Sequence, residues 1–131
     1  MARHNKVGEI GEELAAKMFQ KKGYKIIKRN YRKKWCEIDI IAEKPRKRRI
    51  FKQSAPAKLV FIEVKTRVGE RFGSPEESIN YEKKRRLARS ADAYAAFSNY
   101  KGEYQVDAIC IVLNENGTLQ RADHYENITG F

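Results

Sequence analysis

Leu59-Val60-Phe61-Ile62-Glu63-Val64-Lys65 and, before it, Ile38-Asp39-Ile40-Ile41 are two apolar runs that carry three charges between them. Both are rich in β-branched and aromatic residues and read as strands of a sheet. A charge inside such a run costs free energy unless something compensates it. Two carboxylates beside one ammonium point to a divalent cation held by oxygen ligands, with the lysine as an extra positive charge. That is an economical way to cut a phosphodiester. Side chains alternate along a strand, so Phe61, Glu63 and Lys65 share one face while Val60, Ile62 and Val64 take the other. If the two strands pair as a long hairpin, Asp39 and Glu63 converge on one ion, and the Val64 carbonyl is placed to add a third oxygen. Mg²⁺ (or Mn²⁺) suits such a site, because Mg²⁺ keeps several waters and needs few protein ligands. Lys65 would orient or help deprotonate the attacking water. The rival reading is a structural ion pair on a half-exposed strand, since Glu-x-Lys is common in strands. An aspartate on the preceding strand and a strongly basic chain favour a site.

The flanking sequence supplies the other elements. Val7 to about Lys22 reads as an amphipathic helix with Val7, Ile10, Leu14 and Met18 on one stripe, Asn5 as N-cap and Gly23 as stop. Tyr24 to Arg29 follows as an edge strand, Trp35 to about Glu43 as the second and Lys58 to Arg67 as the third. Residues 44–58 form a basic loop. Ser74-Pro75-Glu76-Glu77 has the form of a capping box with proline at the first helical position. A helix runs from there to about Ser98, with a break expected near Asn80-Tyr81. Gln105 to Leu113 and Thr118 to Tyr125 close the chain as two strands around an Asn116-Gly117 turn. The order α-β-β-β-α-β-β fits one α/β domain over residues 1–131, a mixed central sheet flanked by helices.

On the first helix, Gly8, Gly11, Ala15 and Ala16 lie within about 100° of Glu12, so this side presents a carboxylate on a floor of small side chains. Two helical glycines each cost up to about 1 kcal/mol relative to alanine, which suggests close approach by a strand or a ligand. Against this, Glu9, Glu12 and Glu13 together simply favour a helix N-terminus electrostatically.

The formal net charge is +11, which favours an anionic partner: nucleic acid first, an acidic membrane surface second. Lys83, Lys84, Arg85, Arg86 and Arg89 cover much of one helix surface and could lie along phosphates without reading bases. Arg32, Lys33 and Lys34 precede the Asp39 strand, and Arg67 follows Lys65; all are placed in sequence to guide a backbone toward the carboxylates. Arg46-Lys47-Arg48-Arg49, in a loop with no acidic residue, reads as a phosphate clamp. Each run alone reads equally as a solvated face. The amino-terminal residues lack the apolar core of a signal peptide, and no run is long enough to span a membrane. Cys36 and Cys110 read as free buried thiols in a reducing cytoplasm, and with only His4 and His124 a Cys/His zinc site is not expected.

Gly8-x-x-Gly11-Glu12-x-x-Ala15, Gly23-Tyr24, Asn30-x-Arg32, Glu37-Ile38-Asp39-Ile40-Ile41 and Phe61-Ile62-Glu63-Val64-Lys65-Thr66-Arg67 resemble the YraN family of small bacterial proteins. The likeness continues through Lys83-x-Arg85-Arg86-Leu87, Val106-Asp107 and Asn127-Ile128-Thr129-Gly130-Phe131. That family is similar in fold to restriction endonucleases and archaeal Holliday-junction resolvases, the PD-(D/E)xK nuclease superfamily. The resemblance implies a restriction-endonuclease-like fold, with Asp39, Glu63 and Lys65 at the metal and catalytic positions and Glu12 as the helix carboxylate. Two departures are visible. Cys36 stands where the family usually has glycine, and the basic loop is longer than usual. Glu37 reads either as a supporting carboxylate or, more ordinarily, as the partner of a nearby arginine. Asp107 reads as a supporting group or as the structural partner of a basic side chain.

Together these readings lead to a cytoplasmic Mg²⁺- or Mn²⁺-dependent nuclease acting on DNA, including branched DNA, by phosphodiester hydrolysis. A homodimer would suit two cuts on a junction. The alternatives are a nucleic-acid-binding protein that keeps the fold with little or no catalysis, and a scaffold that recruits an acidic protein.

Overall fold

A computed structural model describes residues 3–46 and 56–130. It contains α1 (Arg3–Lys21), β1 (Lys25–Lys33), β2 (Cys36–Glu43), β3 (Leu59–Val68), a 3₁₀ turn (Pro75–Ser78), α2 (Tyr81–Phe97), β4 (Tyr104–Leu113) and β5 (Leu119–Tyr125). The architecture is mixed α/β in the order expected from the sequence. The strands form one sheet in the order β1-β2-β3-β4-β5. β3 and β4 are parallel and the other neighbours antiparallel.

The parallel pair dictates the layers, because parallel neighbours need a crossover. The 3₁₀ turn and α2 supply it on one face, and α1 covers the other. Ala15, Ala16 and Phe19 of α1 pack with Ile40, Ala42, Val60, Ile62, Val64, Ile109 and Ile111. Leu87, Ala91 and Tyr94 of α2 pack with Ile38, Ile41, Leu59, Phe61 and Val106. β3 therefore alternates as its sequence predicts, Phe61 toward α2 and Val60, Ile62 and Val64 toward α1. β2, β3 and β4 are covered on both faces, which is why they read as near-continuous apolar runs. β1 and β5 are the exposed edges.

Helix ends follow local chemistry. Gly23, at φ 93°, closes α1: its N–H donates to the Gln20 carbonyl and that of Tyr24 to the Phe19 carbonyl, both at 2.9 Å. The Phe19 and Tyr24 rings meet edge-on at 5.0 Å across this cap. The other end differs from expectation. α1 starts at Arg3, so Asn5 lies inside its first turn and is no cap. No proline or glycine separates Arg3 from Asn5 to stop the helix extending. The break at Asn80 is present: its side-chain oxygen accepts the Lys83 N–H at 2.9 Å and starts α2 afresh. The Ser74 N–H donates to Glu77 Oε2 at 2.7 Å, one half of the expected capping box.

The two helical glycines separate. A Cβ on Gly11 would collide with the Thr66 side chain of β3, lying 2.8 Å from its Cβ and 2.9 Å from its Cγ2. Gly8 has nothing within 4 Å of such an atom, so the close approach expected there does not occur. Beyond β3, Arg121 of β5 pins the connecting segment through Glu70 at 2.8 Å and Glu76 at 2.8 Å. The Arg121 guanidinium, with the Tyr125 hydroxyl, holds the Glu76 carboxyl down to about 2.

Candidate functional site

β2 and β3 are paired from Glu43↔Leu59 to Ile40↔Ile62, and the ladder then stops. Asp39 and Glu63 are the next residues on each strand, at the point where the strands part. Asp39 bridges the gap: its Oδ2 accepts the Val64 N–H at 2.9 Å, taking the place of a backbone carbonyl. Both carboxylates are buried, 9% and 8% exposed, although each is a charge in a sheet. The long hairpin expected from the sequence thus brings this pair together.

Each member has a cationic neighbour. Arg32 Nη2 lies 2.9 Å from Asp39 Oδ1, while its Nη1 donates to the Ile38 carbonyl at 3.0 Å. Lys83 Nζ lies 3.1 Å from Glu63 Oε2. Burial pushes the Glu63 carboxyl up to about 7, with the Asp39 charge acting the same way and Lys83 opposing it. Two like charges side by side in a dry site favour one retained proton or one added cation.

Glu12 approaches from α1. Its carboxyl is raised by burial, then by the charge of Asp39, and lowered by a hydrogen bond from the Asn30 side chain. Asn30 sits on β1 at φ 50°, opposite Asp39 and between the pairs Arg29↔Ile40 and Tyr31↔Ile38. Glu12 therefore senses Asp39 from the α1 side, whereas Glu63 and Lys83 lie on the α2 side. Among the described residues no three acidic, histidine or cysteine side chains gather as a ready-made metal site. Lys65 follows two residues after Glu63 on β3 and makes no ion pair among the described residues. The Val64 carbonyl, expected as a third oxygen, belongs to the residue whose N–H already holds Asp39.

The basic residues divide. Lys34, Lys83, Arg86 and Arg89 line one cavity of about 300 Å³ beside Trp35. Lys84 lines a different cavity with Glu76 and Tyr125, and Arg85 lies 5.9 Å over the Tyr81 ring. Of the α2 cations, Lys83, Arg86 and Arg89 thus line this cavity and Lys84 and Arg85 do not, although Arg85, Arg86 and Arg89 fall within about 100° of one another around the helix. Arg32 and Lys33 line a shallow surface along β1. The buried Nε of Arg67 has no hydrogen-bond partner among the described residues. Arg46 follows β2; Lys47, Arg48 and Arg49 lie outside the described residues.

Two lesser readings are resolved. Glu37 stands opposite Arg32 in register, yet that guanidinium turns to Asp39, and Glu37 has no ion pair among the described residues. Asp107 is the structural partner of a basic side chain: fully buried, it meets His124 Nε2 at 2.8 Å, Gln105 Nε2 at 2.8 Å and the Asn127 N–H at 2.9 Å. Sequence reasoning missed Asn30 as a contact of Glu12 and Lys83 as the partner of Glu63. Asn30 left a signal in the Asn30-x-Arg32 motif and Lys83 in Lys83-x-Arg85-Arg86-Leu87, but neither motif names its partner, and the Lys83 contact joins α2 to β3 across 20 residues.

Fold and site together define a small mixed α/β protein with a buried carboxylate pair at a parting of sheet strands, ringed by cations. The chain belongs to the family described as Uncharacterised protein family UPF0102, whose model matches residues 11–111, and the resemblance to the YraN family holds. It is 40% identical over 124 residues to a UPF0102 protein of Caldanaerobacter subterraneus subsp. tengcongensis, covering 92% of each chain. It is 37% identical over 124 residues to one of Bacteroides thetaiotaomicron, covering 95% of this chain and 92% of that one. With one of Symbiobacterium thermophilum it shares 45% identity over 91 residues, 70% of this chain and 68% of that one. Among the described residues no helix is long and apolar enough to cross a membrane.

Proposed function

We propose that this chain is a Mg²⁺- or Mn²⁺-dependent endonuclease of the restriction-endonuclease-like class that hydrolyses phosphodiesters in DNA, branched DNA included. One observation carries the reading: Asp39 and Glu63 are buried side by side where β2 and β3 separate, and strand alternation gives Lys65, two residues on, the same face as Glu63. The donor set fits a hard cation. Both groups are carboxylates, and the burial that raises Glu63, with the repulsion of Asp39 added to it, would be offset by positive charge between them. An ion that keeps most of its water shell needs no more than these two side chains. When bound, such an ion supplies charge stabilisation on the phosphate and lowers the pKa of a bound water.

The chain's own residues do the rest. The Val64 N–H and Arg32 fix the Asp39 carboxylate in one orientation. Lys65 donates a hydrogen bond that holds the attacking water in line, and the proton the water loses passes to a phosphate oxygen or to solvent. Glu12, whose raised carboxyl keeps proton affinity, supports the nucleophile from the α1 side. Arg32 and Lys83 are placed to turn from carboxylate to phosphate when substrate arrives. Free, buried Cys36 and Cys110 support a reducing compartment, the cytoplasm. A homodimer would place two such sites on one junction.

The test is a Mg²⁺ and Mn²⁺ titration on linear duplex, single-stranded and four-way DNA, comparing wild type with Asp39→Ala and Lys65→Ala. Each substitution is expected to lower cleavage by about 10²-fold or more. Cleavage unchanged by both would refute the reading. A second reading, a nucleic-acid-binding protein without catalysis, is favoured by the Arg32–Asp39 and Lys83–Glu63 ion pairs, which neutralise both carboxylates internally. Tight binding with no cleavage of any substrate would establish it.

A further inference from the structure

Lys33 pairs with Cys36 across the β1–β2 hairpin, so Lys34 and Trp35 form its two-residue loop. Such loops ordinarily take Asn-Gly or Gly-X. Here one of the two positions holds the largest side chain available, and 71% of it is exposed. Trp35 therefore contributes little to the core, and what distinguishes it from other exposed aromatics such as Phe72 and Tyr81 is the cation-lined cavity beside it. Lys34 Nζ stands 5.1 Å over the ring. The cavity beside it, about 300 Å³, is lined by Lys34, Lys83, Arg86 and Arg89, with Glu37 the one carboxylate among its lining residues. Lys83 also touches Glu63, so the cavity opens directly beside the buried carboxylate pair.

A flat aromatic face set beside several cations has a definite complement: a base that stacks and phosphates that flank it. A duplex cannot offer this, because its bases are stacked on one another and only their edges are accessible. An acidic peptide would satisfy the cations but leave the indole uncovered. We infer that the Trp35 cavity is a subsite for one unpaired nucleotide, its base on the indole and its phosphate among Lys34, Arg86 and Arg89. It gives the protein a preference for single-stranded or frayed nucleic acid next to the carboxylate pair. The inference rests on the nucleic-acid partner of the proposed function and adds the class of strand recognised; it needs no metal and no cleavage.

Trp35 is the chain's single tryptophan, so its fluorescence reports this cavity alone. The full chain, in EDTA, is titrated with a single-stranded oligonucleotide, the blunt duplex of the same sequence, a duplex with a single-stranded overhang, and a polyglutamate peptide. Quenching is expected with the single strand and the overhang, and far less with the blunt duplex or polyglutamate. By anisotropy of a labelled single strand, Trp35→Ala is expected to bind about tenfold or more weakly, and Trp35→Phe to recover most of the loss. Arg86→Ala and Arg89→Ala should each reduce the slope of log K against log salt by about 0.7. Equal quenching by blunt duplex or by polyglutamate, or undiminished affinity in a folded Trp35→Ala variant, would overturn the inference. Cleavage with Mg²⁺ is measured separately on the same oligonucleotides. Quenching without cleavage removes only the catalytic reading, and cleavage without Trp35-dependent binding removes only this one.

Discussion

Glu63 carries the sharpest conflict at the level of a single residue. It needs a sheet position because Phe61 and Val64 around it are core, yet burial and the neighbouring Asp39 charge raise its carboxyl from 4.5 to about 7. The folded state therefore holds this proton where the unfolded chain has released it. Between those two values stability falls as pH rises, since the native state binds more protons than the unfolded one. Glu63→Gln removes the titration and should flatten the slope of Tm against pH from about 5 to 7 in metal-free buffer. Above pH 7 the variant should melt higher than wild type, and below pH 5 the two should converge, as read by thermal denaturation across buffers. A wild-type Tm that rises through this window, with the slope kept in the variant, would remove the raised Glu63 from the account. The same argument predicts that Mg²⁺ stabilises wild type most at the alkaline end, where both carboxylates are ionised. The pair itself was legible in the sequence, because a charge in a β-branched run stands out. Its cationic partners were not. Arg32 faces Glu37 in register but bonds Asp39, a choice made by the parting of β2 from β3 rather than by spacing.

Among the elements, α1 shows how one sequence feature splits into two once a neighbour is present. Gly8 and Gly11 look alike on a helical wheel, but only Gly11 meets β3, at Thr66. Gly11→Ala gains up to about 1 kcal/mol of helix propensity and forces a methyl into Thr66, an overpacking that costs about 1–3 kcal/mol. A net loss of Tm is expected, and Gly11→Ala with Thr66→Ala should recover part of it. Gly8→Ala, with open space around the new methyl, should raise Tm by the propensity alone. If Gly11→Ala stabilises as much as Gly8→Ala, the α1–β3 contact is looser than described. Periodicity placed α1, its stop at Gly23, the break near Asn80 and the second to fifth strands to within a few residues, since these depend on local chemistry. It extended poorly where nothing local intervenes, as at the start of α1. It also gave β1 too few residues. Past Arg29 the chain stays in the sheet through Asn30 at positive φ, and its polar edge-strand sequence carries no alternation to reveal this.

At the scale of the whole molecule, the +11 charge and the placement of the cations have separable consequences. Total charge governs the encounter with an anionic strand, and it is screened beyond about 10 Å at 0.1 M salt. Contacts inside the Trp35 cavity govern how long the strand stays. Reversing a charge far from that cavity, as in Lys101→Glu on the exposed segment after α2, should slow association and soften its salt dependence while leaving dissociation nearly unchanged. Arg89→Glu, inside the cavity, should act on both rates, with the larger effect on dissociation. Stopped-flow Trp35 quenching with a single-stranded oligonucleotide at several salt concentrations separates the two. Equal effects of both reversals on dissociation would mean that binding is spread over the basic surface. In that case the division of the α2 cations into those that line the cavity and those that do not would carry no functional weight. A dissociation effect confined to Arg89→Glu would instead make the cavity the determinant: Lys34, Lys83, Arg86 and Arg89 line it, while Lys84 and Arg85, equally basic, do not.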